Sequence, residues 1–321
     1  MSHRLALGKR GLFVAPVGGR PVFRVAGLAG VAVVVLCLVA RVGVAQAQVA
    51  TVQFQSTYRA YNVWTEWTPN KCTKTEPIYG YEPDAAGTYP VVFYLHSVLA
   101  DWFGNEEGKR VAELAAGQGF VAAAVTYDSW LALNVRRVDG NASCMFSPGV
   151  ASNPVAQVCA RPEADCSRGL LVMGFSLGGA IAGRAKNFNP QVQGAWLTGT
   201  GTDASPEAVA PPAGTRALPN DRLRITVGQR DVLGLAGLNE VSGQSCSSSP
   251  CLSADGSGYY VVQDSEVADG AADHCYWMSV SGPYARNSCT KIPTFDPGFA
   301  PPSTTPWSLI TDLNWLRTTL G

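Results

Sequence analysis

Residues 169–182 read Gly169-Leu170-Leu171-Val172-Met173-Gly174-Phe175-Ser176-Leu177-Gly178-Gly179-Ala180-Ile181-Ala182. The run 169–173 (GLLVM) is continuously apolar, the pattern of a strand buried on both faces. The stretch 177–186 is rich in small residues and compatible with a helix. Between the two, GFSLGG sets Ser176 on a tight strand-to-helix turn. Glycines two residues to either side let the backbones approach, so the hydroxyl projects from the edge of a sheet. In a chain with 34 glycines the motif gains its weight from this position, strand before and helix after.

Working outward, Tyr89–Leu95 (YPVVFYL), Phe120–Tyr127 (FVAAAVTY), Val192–Leu197, Leu223–Val227 and Tyr259–Val262 have the same buried-strand character. Helical spacing runs through Val111, Leu114 and Ala115 in Glu107–Gly117, and through Leu309, Ile310, Leu313 and Leu316 in Trp307–Leu320. Such alternation predicts a single α/β domain with a mostly parallel central sheet and helices on both faces. No internal repeat is present. The Pro/Ala-rich stretch 204–220 and the Pro-rich stretch 293–306 read as loops within that domain.

Of the 321 residues, 46% are hydrophobic and 15% charged, which excludes a disordered chain and leaves ample length for a core. Residues 1–50 contain Arg4, Lys9, Arg10, Arg20, Arg24 and Arg41 and no acid, so the remainder carries 18 basic against 24 acidic side chains, a formal −6. That body has no electrostatic reason to seek nucleic acid or an anionic membrane. The basic segment to Arg24, sixteen residues without a polar side chain over Val25–Ala40, and Ala45-Gln46-Ala47 together have the order of a secretory signal peptide. We expect a signal over 1–47 and a catalytic domain over 48–321, secreted or periplasmic, with no membrane contact once the signal is removed. An uncleaved anchor is the alternative, although a spanning helix needs about 20 apolar residues. Cys37 follows Leu36 rather than a small residue, which argues against lipid modification.

Without Cys37, eight cysteines remain, an even set suggesting up to four disulfides in an oxidising compartment. The near pairs Cys159/Cys166, Cys246/Cys251 and Cys275/Cys289 are the simplest. Zinc fits poorly, because no C-x-x-C spacing occurs and only His96 and His274 follow Ala47. We expect no metal and no cofactor.

A serine hydroxyl needs a base, usually an imidazole held by a carboxylate. His96 ends an early strand, whereas His274 follows the last strand and comes after both the serine and a plausible acid. His274 is therefore the expected base. Asp231, just past Leu223–Val227, is the expected acid, with Asp203 as rival and Asp264, Asp269 and Asp273 as weaker candidates.

The GFSLGG elbow, with Ser176, Asp231 and His274 in that chain order, resembles the α/β-hydrolase fold superfamily over about residues 78–320. Compact size and a cysteine pair near the histidine make the chain similar to small secreted bacterial esterases, the cutinase-like polyester hydrolases and the dienelactone-hydrolase-like group. The resemblance implies an oxyanion hole from the backbone N–H of Leu177 and from Val98. Relatives often carry His-Gly in the latter loop; here it reads His96-Ser97, and His96 would be structural. Ester hydrolysis through an acyl-enzyme is the implied reaction, on small-molecule esters of short or medium acyl chain, or on polymer esters. An acyltransferase, a serine peptidase or a non-catalytic binding protein on the same scaffold are the alternatives.

Trp102, Trp130, Phe175, Tyr276 and Trp277 lie near motif ends and are candidates for a substrate pocket, although aromatic side chains more often serve the core. The stretch 128–168 shows no lid-like amphipathic helix, which disfavours interfacial activation. Asn141-Ala142-Ser143 is a glycosylation sequon.

Overall fold

A central sheet is built by β1 (Thr51–Tyr61), β2 (Cys72–Pro83), β3 (Tyr89–Leu95), β4 (Val121–Val125), β5 (Ala164–Phe175), β6 (Val192–Thr198), β7 (Leu223–Gly228), β8 (Cys251–Leu252) and β9 (Gly258–Val262). The computed structural model describes residues 49–98, 100–129, 134–201, 210–279 and 294–321. Among these the strand order is β1-β2-β4-β3-β5-β6-β7-β9-β8. The six strands from β4 to β9 in that order run parallel, and β1, β2 and β8 join antiparallel at the edges. The expected signal, 1–47, lies outside the described residues, as do Asp203, Trp130 and Cys289. Among the described residues no helix is long and apolar enough to cross a membrane.

The parallel strands are apolar throughout because each is covered twice. In β3, Val91, Phe93 and Leu95 pack into one core layer while Val92 and Tyr94 pack into the other; β5 divides Leu170 and Val172 from Leu171, Met173 and Phe175 in the same way. The first layer is closed by α2 (Val135–Phe146), α3 (Pro154–Cys159) and α4 (Leu177–Ala182), and the second by α1 (Glu106–Ala116) and α8 (Leu309–Thr318). The chain leaves β3 through α1 to β4 on one side, then returns through α2 and α3 to β5 on the other. The winding thus reverses beside β3, and in open α/β sheets the carboxyl ends of the strands at such a reversal are the usual ligand position.

Three sequence expectations are corrected here. The sheet begins at Thr51, upstream of residue 78, with a β1–β2 hairpin whose edge strand alternates exposed and covered residues. Stretch 128–168 contains an amphipathic helix after all, α2, but its Val138, Ala142, Met145 and Phe146 are buried in the core, so it is a packing helix and not a lid. Asn141 is fully buried and its Nδ2 donates to the Arg137 carbonyl at 3.1 Å, so the folded chain cannot present it to a glycosylating enzyme.

Every cysteine among the described residues is disulfide-bonded. Cys159–Cys166 and Cys246–Cys251 pair as expected, Cys72 joins Cys144, and Cys275 is also oxidised. The Cys72–Cys144 bond spans 72 residues and ties the start of β2 to α2, whereas Cys246–Cys251 spans only 5. Chain-entropy arguments give about 4 kcal/mol for the long closure and about 2 kcal/mol for the short one. Replacing Cys72 and Cys144 by Ser is therefore expected to lower unfolding stability about twice as much as replacing Cys246 and Cys251. Urea denaturation under non-reducing conditions checks this; equal losses would contradict it.

Candidate active site

Ser176 sits between β5 and α4 with φ 53° and ψ −117°, a region that a residue with a Cβ adopts only when its surroundings enforce it. The surroundings are mostly glycine. A Cβ on Gly174 would lie 2.2 Å from the Gly178 carbonyl oxygen, and one on Gly178 would lie 2.0 Å from the Leu95 carbonyl oxygen and 2.6 Å from that of His96. The elbow thus closes on itself and brings the first turn of α4 against the end of β3. The Ser176 amide donates to the Thr198 carbonyl at 2.8 Å, and Thr200 Oγ1 donates to the Ser176 carbonyl at 2.9 Å. Thr200 is a supporting residue that the sequence pattern gave no means of finding.

Asp231 follows β7 and caps α6 (Val232–Leu235). Its Oδ1 accepts from the amides of Leu233 at 3.1 Å and Gly234 at 2.9 Å, which leaves Oδ2 for the ring of His274, 2.9 Å from Nδ1. The carboxylate is buried, while the imidazole keeps 27% of its side chain exposed. Gly234 is needed here, since a Cβ would fall 2.4 Å from Asp231 Oδ2.

The histidine loop is drawn onto the sheet end from several directions. The Arg230 amide donates to the Ala272 carbonyl at 2.7 Å, and the Ala272 amide donates to Asp264 Oδ1 at 3.0 Å. Asp264 in turn pairs with Arg230 at 2.6 Å, which explains why Asp264 is a loop clamp and Asp231 the imidazole partner. The Arg230 guanidinium holds the Asp264 carboxyl below its usual range. A Cβ on Gly228 would strike the carbonyls of Ala272 and Asp273 at 2.3 and 2.4 Å, so only glycine at the end of β7 permits this approach.

His274 then lies over Phe175, the neighbour of Ser176, with ring centroids 4.9 Å apart. A Cβ on Gly199 would come within 3.2 Å of the imidazole Cε1. Asp231 and His274 are hydrogen-bonded; among the described residues no hydrogen bond joins Ser176 Oγ to the imidazole.

The β3 loop is equally well fixed. His96 is fully buried, its Nε2 accepts from the Tyr127 amide at 3.2 Å, and its Nδ1 therefore carries the proton and donates to the Ser97 carbonyl at 2.7 Å. Burial depresses its pKa, and the ring stacks on Tyr127 at 4.1 Å. His96 is a loop anchor, as the resemblance implied. Among the described residues no hydrogen bond engages the amides of Val98 or Leu177, which sit on the two segments that Gly178 packs together.

The aromatic candidates divide. Phe175, Tyr276 and Trp277 are buried in the second core layer, with Phe175 edge-on to Trp277 at 5.1 Å and Tyr276 against Trp307 at 5.8 Å. Trp102, in a 3₁₀ turn after β3, is 62% exposed, and Trp130 lies outside the described residues. A surface concavity of about 680 Å³ lined by Arg59, Lys71 and Ser143 sits beside Cys72 and contains none of the three site residues.

No protein-family model and no curated protein sequence matches the chain. Among solved structures it is similar to a protein assigned as a dienelactone hydrolase from Klebsiella pneumoniae subsp. pneumoniae, at 17% identity over 57% of this chain and 75% of that one, TM-score 0.36. It is also similar to the esterase Est22, at 14% identity over 56% of this chain and 63% of that one, TM-score 0.38. A Pseudomonas aeruginosa protein of hypothetical function matches at 17% identity over 46% of this chain and 43% of that one, TM-score 0.33. The chain thus spans less than two thirds of the last two. The chain's own strand order, reversal point and strand–serine–helix turn are those of a doubly wound, mostly parallel α/β sheet.

Proposed function

We propose that this protein is a serine carboxylic-ester hydrolase in which Ser176 is nucleophile, His274 general base and Asp231 its orienting acid. The observation that carries it is the 2.9 Å contact between His274 Nδ1 and the buried Asp231 carboxylate, made beside a serine held at positive φ. With Nδ1 donating to Asp231, Nε2 is the nitrogen left to accept a proton. His274 removes the Ser176 proton as the oxygen attacks the ester carbonyl, and Asp231 stabilises the imidazolium. The amides of Leu177 and Val98 receive the developing oxyanion, each donor being worth about 3 kcal/mol in the transition state. The imidazolium then protonates the departing alcohol, and water releases the acid by the same path.

Export through the segment 1–47 is part of this proposal. It is supported by the oxidised state of every described cysteine, a pattern of oxidising compartments.

The substrate class is an ester of short or medium acyl chain or a polymer ester. One feature favours the polymer. Because β2 runs antiparallel to β4, with Ile78 opposite Val125, the β1–β2 turn emerges at the sheet end that carries the site. That turn displays Trp64 and Trp67 at 84% and 78% exposure. It is firmly held: Glu66 bonds Tyr61 and Arg137, and the Arg136 guanidinium lies 3.5 Å from the Trp67 ring centre. Rigid, exposed indoles suit adsorption to an extended apolar surface.

Ser176→Ala is expected to abolish cleavage of p-nitrophenyl butyrate while leaving the thermal unfolding midpoint within a few degrees of wild type; retained activity would remove the elbow from the mechanism. Asp231→Asn is expected to lower kcat by about 10⁴-fold, against less than threefold for Asp269→Asn, an exposed turn residue. Comparable effects would reassign the acid. Replacing Trp64 and Trp67 together by Ala should slow release of soluble product from polycaprolactone film by roughly tenfold, with turnover of the soluble ester unchanged; equal rates on film would rule out the indole surface.

A further inference from the structure

Glu107, the second residue of α1, is fully buried and has no part in the chemistry above. Its Oε1 accepts from the Tyr94 hydroxyl at 2.5 Å and from the Ser97 amide at 3.2 Å, and its Oε2 accepts from the Ser97 hydroxyl at 2.8 Å. Tyr94 lies one residue before the end of β3, and Ser97 immediately precedes Val98. A buried carboxylate is costly unless it is fully bonded, yet all three of these donors come from the strand end and loop that precede Val98. Burial pushes the carboxyl up to about 7 in spite of these donors. Among the described residues no lysine or arginine pairs with it; the cationic neighbour it feels is His274.

We infer that Glu107 is a positioning residue that fixes the Ser97–Val98 turn and so aims the Val98 amide at the reacting carbonyl. The inference rests on the proposed esterase mechanism. Ser97 binds Glu107 through both its amide and its hydroxyl, while its carbonyl takes the proton of His96 Nδ1 at 2.7 Å. The turn is thus held by the side chain of His96, itself anchored on the Tyr127 amide after β4, and by Glu107 from α1. Either protonation state keeps the clamp, because Oε1 remains an acceptor and a protonated Oε2 donates to the Ser97 oxygen. A glutamine reproduces the second arrangement, and an alanine reproduces neither.

The test measures kcat and KM on p-nitrophenyl butyrate for full-length Glu107→Ala, Glu107→Gln, Ser97→Ala and the Ser97→Ala/Glu107→Ala double variant, each with a thermal melt. Glu107→Ala is expected to lose roughly 100-fold in kcat, the scale of a misplaced oxyanion donor, with KM within about twofold of wild type. Glu107→Gln should retain kcat within about fivefold, and the double variant should be little worse than Glu107→Ala alone, as coupled partners require. If Glu107→Ala does not fold, the pair Glu107→Gln and Ser97→Ala carries the same comparison. A folded Glu107→Ala with wild-type kcat, a Gln variant as slow as the Ala variant, or multiplicative losses in the double variant would overturn the inference while leaving the esterase mechanism in place. A wild-type protein that cleaves no ester overturns both.

Discussion

A serine at φ 53° and ψ −117° is an unfavourable local state, of order 1–3 kcal/mol, and it persists only because packing around it leaves no other path. Gly174 and Gly178 let β5, α4 and the end of β3 meet at distances where any Cβ would overlap a backbone oxygen. The apolar β3–β5–β6 ladder supplies the rigidity against which this strain is held. Once the elbow is closed, the first turn of α4 and the end of β3 lie against the turn that carries Ser176.

The remaining parts are brought to this point by two separate clamps. The Arg230–Asp264 pair and the amide of Ala272 bind the histidine loop to the ends of β7 and β9, so that His274 reaches Asp231. On the other side, His96, Tyr127 and Glu107 hold the Ser97–Val98 turn. The second clamp is a buried polar network, where a satisfied hydrogen bond is strong and a missing one costly, whereas the Arg230–Asp264 pair of the first is solvent-exposed.

The centre of the fold was legible because strands covered on both faces must be apolar along their whole length. Tyr89–Leu95 matches β3, and Val192–Leu197 and Leu223–Val227 fall within β6 and β7 to the residue or nearly so. The serine elbow was legible from glycine spacing, and the Asp231–His274 contact from chain order alone. β1 and β2 were not, because an edge hairpin covered on one face carries residues such as Gln53, Gln55 and Arg59 that dilute the apolar signal. α2 was hidden by Asn141, Ser143 and Cys144, polar or small residues that read as loop until their burial is known. Cys72–Cys144 could not be chosen from sequence separation, which favours near pairs. The burial of Tyr276 and Trp277 was not legible for a related reason: proximity to a motif in sequence does not distinguish a side chain that fills the core from one that lines a surface. Glu107 left no trace at all, since a glutamate in the first turn of a helix normally answers the helix dipole.

The central claim is that Ser176 is activated by His274 and Asp231. The most direct measurement is reaction of the purified protein with a fluorophosphonate, followed by peptide mass mapping of the adduct. The account predicts one phosphonyl group per chain, on Ser176, formed at a rate that collapses when His274 is replaced by Ala. An unlabelled protein, an adduct on another serine, or labelling of Ser176 at an undiminished rate without His274 would contradict it.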